Sequence, residues 1–121
     1  MTRIIVADDE PLHLELIATI LERAGYEVVT VENGAACLAQ LGNGDINLII
    51  TDIFMPGMDG FQLASEANLW GYDIPMIAMT GGMRGHFEPF SGIISRLGAR
   101  TVLKKPFTAE QLLDAVRQNL I

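Results

Sequence analysis

The stretch Ile4-Ile5-Val6-Ala7-Asp8-Asp9 passes from a short apolar run directly into two carboxylates. The pattern returns further along the chain. Leu48-Ile49-Ile50-Thr51 ends in Asp52, Pro75-Met76-Ile77-Ala78-Met79 ends in Thr80, and Thr101-Val102-Leu103 ends in Lys104-Lys105-Pro106. Short apolar runs closed by turn residues read as strands buried on both faces. Amphipathic stretches alternate with them, the mark of strand–helix–strand units on a parallel sheet. Ligands of such sheets bind outside the carboxyl ends of the strands. The four runs therefore bring three acids, a hydroxyl and an amine to one edge.

Working outward, the pattern predicts strands near 3–8, 27–31, 46–52, 74–79 and 101–104. Helices are predicted near 10–24, 34–41, 59–70 and 90–97, with a last one near 108–120. Asp9 is placed to cap the first helix, Pro11 suits its first turn, and Gly25 suits a left-handed stop. Leu12, Leu16 and Ile20, with Leu14, Ile17 and Leu21, offer a broad apolar face for the sheet. Thr108 opens the last helix, whose inner side carries Leu112, Leu113, Val116 and Leu120. The segment 81–92 holds four glycines and a proline, which predicts a mobile loop leading into a short fourth helix.

At 121 residues, half of them hydrophobic, the chain suits one domain with its own core. A net charge of −7 argues against direct nucleic-acid binding, which needs a basic face. No apolar run approaches a membrane span, and none has the form of a signal peptide. The single cysteine, Cys37, rules out an internal disulfide framework and predicts a cytoplasmic protein.

Asp8, Asp9 and Asp52 would crowd up to three negative charges at adjacent strand ends, which favours a cation between them. Mg²⁺ suits a shallow site of few carboxylates, because it keeps several waters and takes phosphate oxygens as well. Asp52 is the candidate nucleophile, since a carboxylate can accept a phosphoryl group as an aspartyl-phosphate. Lys105 and the Thr80 hydroxyl would then meet phosphoryl oxygens, positioning and charge stabilisation being most of the catalysis. A helix cap, a surface lysine and a strand-end threonine would each explain one residue, but not their convergence.

These residues resemble the receiver domain of two-component response regulators. The carriers are Ile5-Val6-Ala7-Asp8-Asp9-Glu10-Pro11, Asp52-Ile53-Phe54-Met55-Pro56-Gly57-Met58-Asp59-Gly60, Pro75-Met76-Ile77-Ala78-Met79-Thr80 and Lys105-Pro106-Phe107. The resemblance covers essentially residues 1–121 as one receiver domain. It implies a flavodoxin-like (βα)5 doubly wound fold with a five-stranded parallel sheet of order 2-1-3-4-5; that order is the one quoted for this fold type in general. Asp52 is then the phosphoacceptor. Asp9, Asp52 and the backbone carbonyl of Phe54 are direct Mg²⁺ ligands, and Asp8 acts on the metal through water. Thr80 is the switch hydroxyl and Lys105 the phosphate-binding lysine, on a Lys-Pro bond that is commonly cis in the family. Lys104 is a solvated neighbour, and Asp59 stands near the start of the third helix.

By the same resemblance the protein is a signalling switch in a phosphorelay, not an enzyme, assisting only its own phosphorylation and dephosphorylation. Its donor would be a histidine kinase or phosphotransfer protein. The output would reach a downstream protein partner or fused effector, or a second copy through the face of the fourth helix, fifth strand and fifth helix. The chain ends just after the last predicted helix, which fits a stand-alone regulator or a receiver cut from a longer protein.

Three departures bear on output. Val102 stands where the family usually has Tyr or Phe, and a stiff, small valine cannot make the inward swing. The 81–92 loop is glycine-rich and slightly long, and is the candidate to replace that aromatic as the moving element, with Phe87 and Phe90 either exposed by it or simply packed. Phe54 and Gly82 occupy variable positions that tune dephosphorylation. His13 is read as facing out near a helix start, His86 as riding the loop, Cys37 as a small helix residue and Trp70 as packing at the end of the third helix. Two enzymatic or cofactor readings fall away. A phosphohydrolase of the haloacid-dehalogenase type needs an aspartate where Phe54 stands, and Asp8-Asp9-Glu10 would repel a flavin phosphate. A phosphate-independent receiver acting as an interaction scaffold is the remaining alternative, kept open by Val102.

Overall fold

The computed structural model describes residues 1–81 and 99–120. Among the described residues nine elements follow in order: β1 (Arg3–Ala7), α1 (Pro11–Arg23), β2 (Glu27–Val31), α2 (Gly34–Leu41), β3 (Leu48–Asp52), α3 (Gly60–Leu69), β4 (Met76–Thr80), β5 (Ala99–Lys104) and α4 (Ala109–Asn119). All strand pairs are parallel, in the order β2-β1-β3-β4-β5. This is the expected doubly wound sheet, with boundaries shifted by a residue or two. The predicted helix over 90–97, Gly82, His86, Phe87, Phe90 and all of the 81–92 loop after Gly81 lie outside the described residues.

Alternation along each strand divides the core in two, because successive side chains point to opposite faces. Ile5, Ala7, Ile49, Met76 and Ala78 pack with Cys37 and Leu41 of α2 and Leu63, Ala64 and Ala67 of α3. Ile4, Val6, Leu48, Ile50, Ile77 and Met79 pack with Leu14, Ile17 and Leu21 of α1 and Leu112, Ala115 and Val116 of α4. Both faces are covered, so the strands read as continuous apolar runs rather than as an alternation.

The helix ends explain themselves chemically. Thr108 and Gln111 form a capping box on α4. Asp59 caps α3 by accepting the Gln62 amide at 2.9 Å, and Asn33 caps α2 by accepting the Ala36 amide at 2.7 Å. After α1, Gly25 adopts φ +98°, the left-handed stop that its sequence position predicted. Two expectations for α1 need correction. Its N-cap is Glu10 without a side-chain cap bond, not Asp9. Only Leu14, Ile17 and Leu21 are buried on it, with Ile20 packed at the margin, whereas Leu12 and Leu16 are 82% and 57% exposed. Trp70 is likewise 66% exposed, its Nε1 donating to Glu66 Oε2 rather than packing inward.

Cys37 is fully buried, and burial pushes its thiol up to about 12. A neutral, sequestered thiol is inert. In native protein at neutral pH, Cys37 is therefore expected to resist maleimide, and to react fully once urea unfolds the chain. Rapid labelling without denaturant would contradict this packing.

Candidate functional site

The site is built by strand register. Ala7 of β1 lies beside Thr51 of β3, and Asp52 beside Met79 of β4. The next residues along β1 and β4 are therefore Asp8 and Thr80, flanking Asp52 at one sheet edge. Asp8 is fully buried, Asp52 is buried and Asp9 is exposed, and the three offer oxygens that all lie within 4.8 Å of one another. Beyond β5 the Lys105–Pro106 peptide is cis, and the Lys105 amide donates to the Thr80 carbonyl at 2.7 Å. Lys105 Nζ then reaches into the acids, 3.0 Å from Asp8 Oδ2 and 2.8 Å from Asp52 Oδ2. Lys104 is exposed at the end of β5.

The loop after β3 holds Asp52 in place. Gly57 takes φ +76°, and the Gly60 amide donates to the Ile53 carbonyl at 2.7 Å, folding the loop back on the strand. A side chain on Gly60 would have to share space with the Asp52 carbonyl oxygen. The Phe54 amide faces Asp52 Oδ1 at 3.4 Å, and the Phe54 side chain is half exposed beside the site.

Electrostatics separates the two buried acids. Burial is the largest influence on Asp8 and resists its ionisation. Hydrogen bonds from His13, the Glu10 amide and Lys105 outweigh it and bring Asp8 down to about 2. For Asp52, burial wins: it lies above the usual carboxylate range, Lys105 pulling it down and the Asp8 charge adding to the rise. Lys105 is held firmly cationic, since its bonds to Asp52 and Asp8 exceed the effect of burial. One ammonium thus serves two buried carboxylates, with Asp9 adding a third negative group at the solvent side. Such an edge attracts a cation and, through Lys105, an anion bound with it.

Thr80 Oγ1 is buried and has no hydrogen-bond partner among the described residues. An unpaired buried hydroxyl costs about 1–3 kcal/mol, so one persisting at a polar edge is ready to donate to a group that arrives there. Val102 packs half-buried against the cluster around Ile5 and Ala78. His13 corrects the sequence reading. Its ring turns inward, with Nδ1 on Asp8 Oδ2, and lies 5.8 Å from the Phe107 ring. The clue was available, because His13 is four residues before buried Ile17 and so shares a flank of α1 with it.

Residues 4–117 match the response regulator receiver domain family. The chain belongs to that family. Response regulator SaeR of Staphylococcus aureus strain USA300 is 32% identical over 113 residues, 93% of this chain and 48% of the relative. This receiver domain therefore spans about half the length of the curated relatives it matches. Among solved structures, Thermotoga maritima response regulator TrrA in complex with Mg(2+)-BeF is 35% identical, with TM-score 0.86 over 99% of this chain and 100% of that one. Vibrio cholerae chemotaxis protein CheY4 is 28% identical, with TM-score 0.91 over 99% of each chain. The receiver domain is thus a two-component signalling module with a CheY-like fold. Among its described residues no helix is long and apolar enough to cross a membrane.

Proposed function

We propose that residues 1–121 form one receiver domain that accepts a phosphoryl group on Asp52 and changes partner binding as a result. The observation that carries this reading is Lys105 Nζ bridging Asp8 and Asp52 within an acidic cluster open to solvent at Asp9. The donor would be a histidine kinase or phosphotransfer protein. An Asp52 oxygen forms the new P–O bond as the P–N bond to the donor imidazole breaks, and the electron pair leaves with that imidazole. Lys105, already beside Asp52, follows the charge onto a phosphoryl oxygen. The Thr80 hydroxyl donates to another, which would supply its missing partner. Water attack on phosphorus later returns Asp52 and inorganic phosphate, so the domain turns over only its own modification.

The donor set fits Mg²⁺, since every candidate ligand is a hard oxygen and exposed Asp9 leaves a way in. Asp9, Asp52 and the Phe54 carbonyl would hold the ion, with Asp8 acting through water. Bound there, Mg²⁺ would offset charge on the phosphoryl oxygens. Cytoplasmic placement goes with this role. The output is best assigned to the β5 and α4 side, toward a downstream protein, a fused effector or a second copy. A cleft of about 440 Å³ lined by Val102, Lys104, Phe107 and Gln111 supports that choice. Val102 favours one second reading, a scaffold that works without phosphate.

Intact-mass spectrometry after incubation with acetyl phosphate and Mg²⁺ tests the proposal. A single phosphate adduct is expected, lost in Asp52→Ala and lost without Mg²⁺. No adduct, with Mg²⁺ binding confirmed and no trapping by beryllofluoride, would hand the case to the scaffold reading.

A further inference from the structure

We propose that His13 is a positioning residue of this site, holding Asp8 so that Lys105 is free to follow the phosphoryl group. The assignment rests on the phosphoacceptor reading above. Asp8 is fully buried, so its oxygens must find donors within the protein. Oδ1 accepts the Glu10 amide at 3.0 Å, while Oδ2 accepts both Lys105 Nζ at 3.0 Å and His13 Nδ1. A ring nitrogen facing a carboxylate oxygen must carry the proton, in either the neutral or the charged imidazole. His13 is therefore a donor to Asp8 in either form.

The same ammonium lies 2.8 Å from Asp52 Oδ2. Two buried carboxylates already share it, and a phosphoryl oxygen on Asp52 is a third claimant. With His13 in place, Asp8 Oδ2 keeps a donor when Lys105 turns toward that oxygen. Without His13, the turn strands a buried carboxylate oxygen, so Asp8 retains the lysine. Asp8 also keeps more of its charge for a cation. The ring is steadied on its other side by Phe107, tilted 58° to it, two residues after Lys105. His13 thus ties the first turn of α1 to the loop carrying the lysine, and touches neither phosphate nor metal itself.

Calorimetric titration separates this role from simple packing. His13→Leu keeps apolar bulk against Phe107 without a donor, and His13→Asn restores an N–H near the place of Nδ1. Mg²⁺ is titrated alone, then beryllofluoride at saturating Mg²⁺. His13→Leu is expected to bind Mg²⁺ about threefold tighter and beryllofluoride about tenfold weaker, as the loss of a hydrogen bond to a charged group permits. His13→Asn is expected within about twofold of wild type for both, since it restores that bond. Parallel weakening of both probes in His13→Leu, no change in either, or an Asn variant that behaves like the Leu variant overturns the assignment alone. Wild type that takes up neither probe overturns the phosphoacceptor reading and this assignment with it.

Discussion

Lys105→Ala is expected to lose about 2 kcal/mol of folding stability at neutral pH without divalent cations. The reason is what the lysine leaves behind. Asp8 and Asp52 have side-chain exposures of 0% and 9%, and among the described residues Lys105 is the only lysine or arginine paired with either. Removing one partner of a sealed ion pair costs about 3–5 kcal/mol. The edge here opens to solvent at Asp9, which lowers the expected cost to about 2 kcal/mol. Urea denaturation should show a lower midpoint at unchanged slope. Mg²⁺ should restore more stability to the variant than to the wild type, because a cation takes over the neutralisation. Adding Asp52→Asn should recover much of the loss, since two uncompensated carboxylates no longer face each other, and a double-mutant cycle would read that coupling. A variant as stable as wild type in the absence of Mg²⁺ would contradict the charge balance described for this edge.

Gly60→Ala is expected to damage both the fold and the chemistry. A Cβ there would sit 2.8 Å from the Asp52 carbonyl oxygen and 2.9 Å from Ile53 Cα. Both are backbone atoms of β3 and its exit, so no side chain can swing aside. Overpacking of this kind costs about 1–3 kcal/mol. Relief must come from moving the end of β3, which carries Asp52, the proposed phosphoacceptor. Misplacing a reacting group by about 1 Å can cost about a hundredfold in rate, and a fall of about tenfold in phosphorylation by acetyl phosphate is expected here. Gly42→Ala is the matched control, since its added Cβ meets only ordinary contacts at 3.5 Å. Denaturation midpoints and adduct formation over time check both readouts. Equal behaviour of the two variants would mean that the approach of α3 to Asp52 is not tight.

Much of this site was legible before any coordinates. Apolar runs ending in Asp8, Asp52, Thr80 and Lys105 imply strand ends, and strand ends of a parallel sheet share an edge. Gly25 and Thr108 marked helix ends correctly, because capping chemistry is local, whereas Asp9 did not prove to be the cap of α1. The errors on α1 arise where a local pattern allows more than one orientation. Helix α1 carries apolar residues around most of its circumference, so periodicity alone could not say that Leu14, Ile17 and Leu21 face the sheet while Leu12 and Leu16 face water. Trp70 looked like a core residue by type, yet it sits at the C-cap of α3 and is exposed, with its ring nitrogen bonded to Glu66.

By itself, then, the sequence determined the edge where the acids gather and the ends of α1 and α4 at Gly25 and Thr108, and its resemblance to a family implied the strand order. The edge follows from period and chain direction, and the two helix ends from local capping. Only the tertiary structure decided that Asp8 is sealed while Asp9 is open, and that Lys105 is shared between two carboxylates. It alone also showed His13 turned inward onto Asp8. Each of these depends on how far one element rotates and slides against another, and that is set by the packing of side chains distant in sequence.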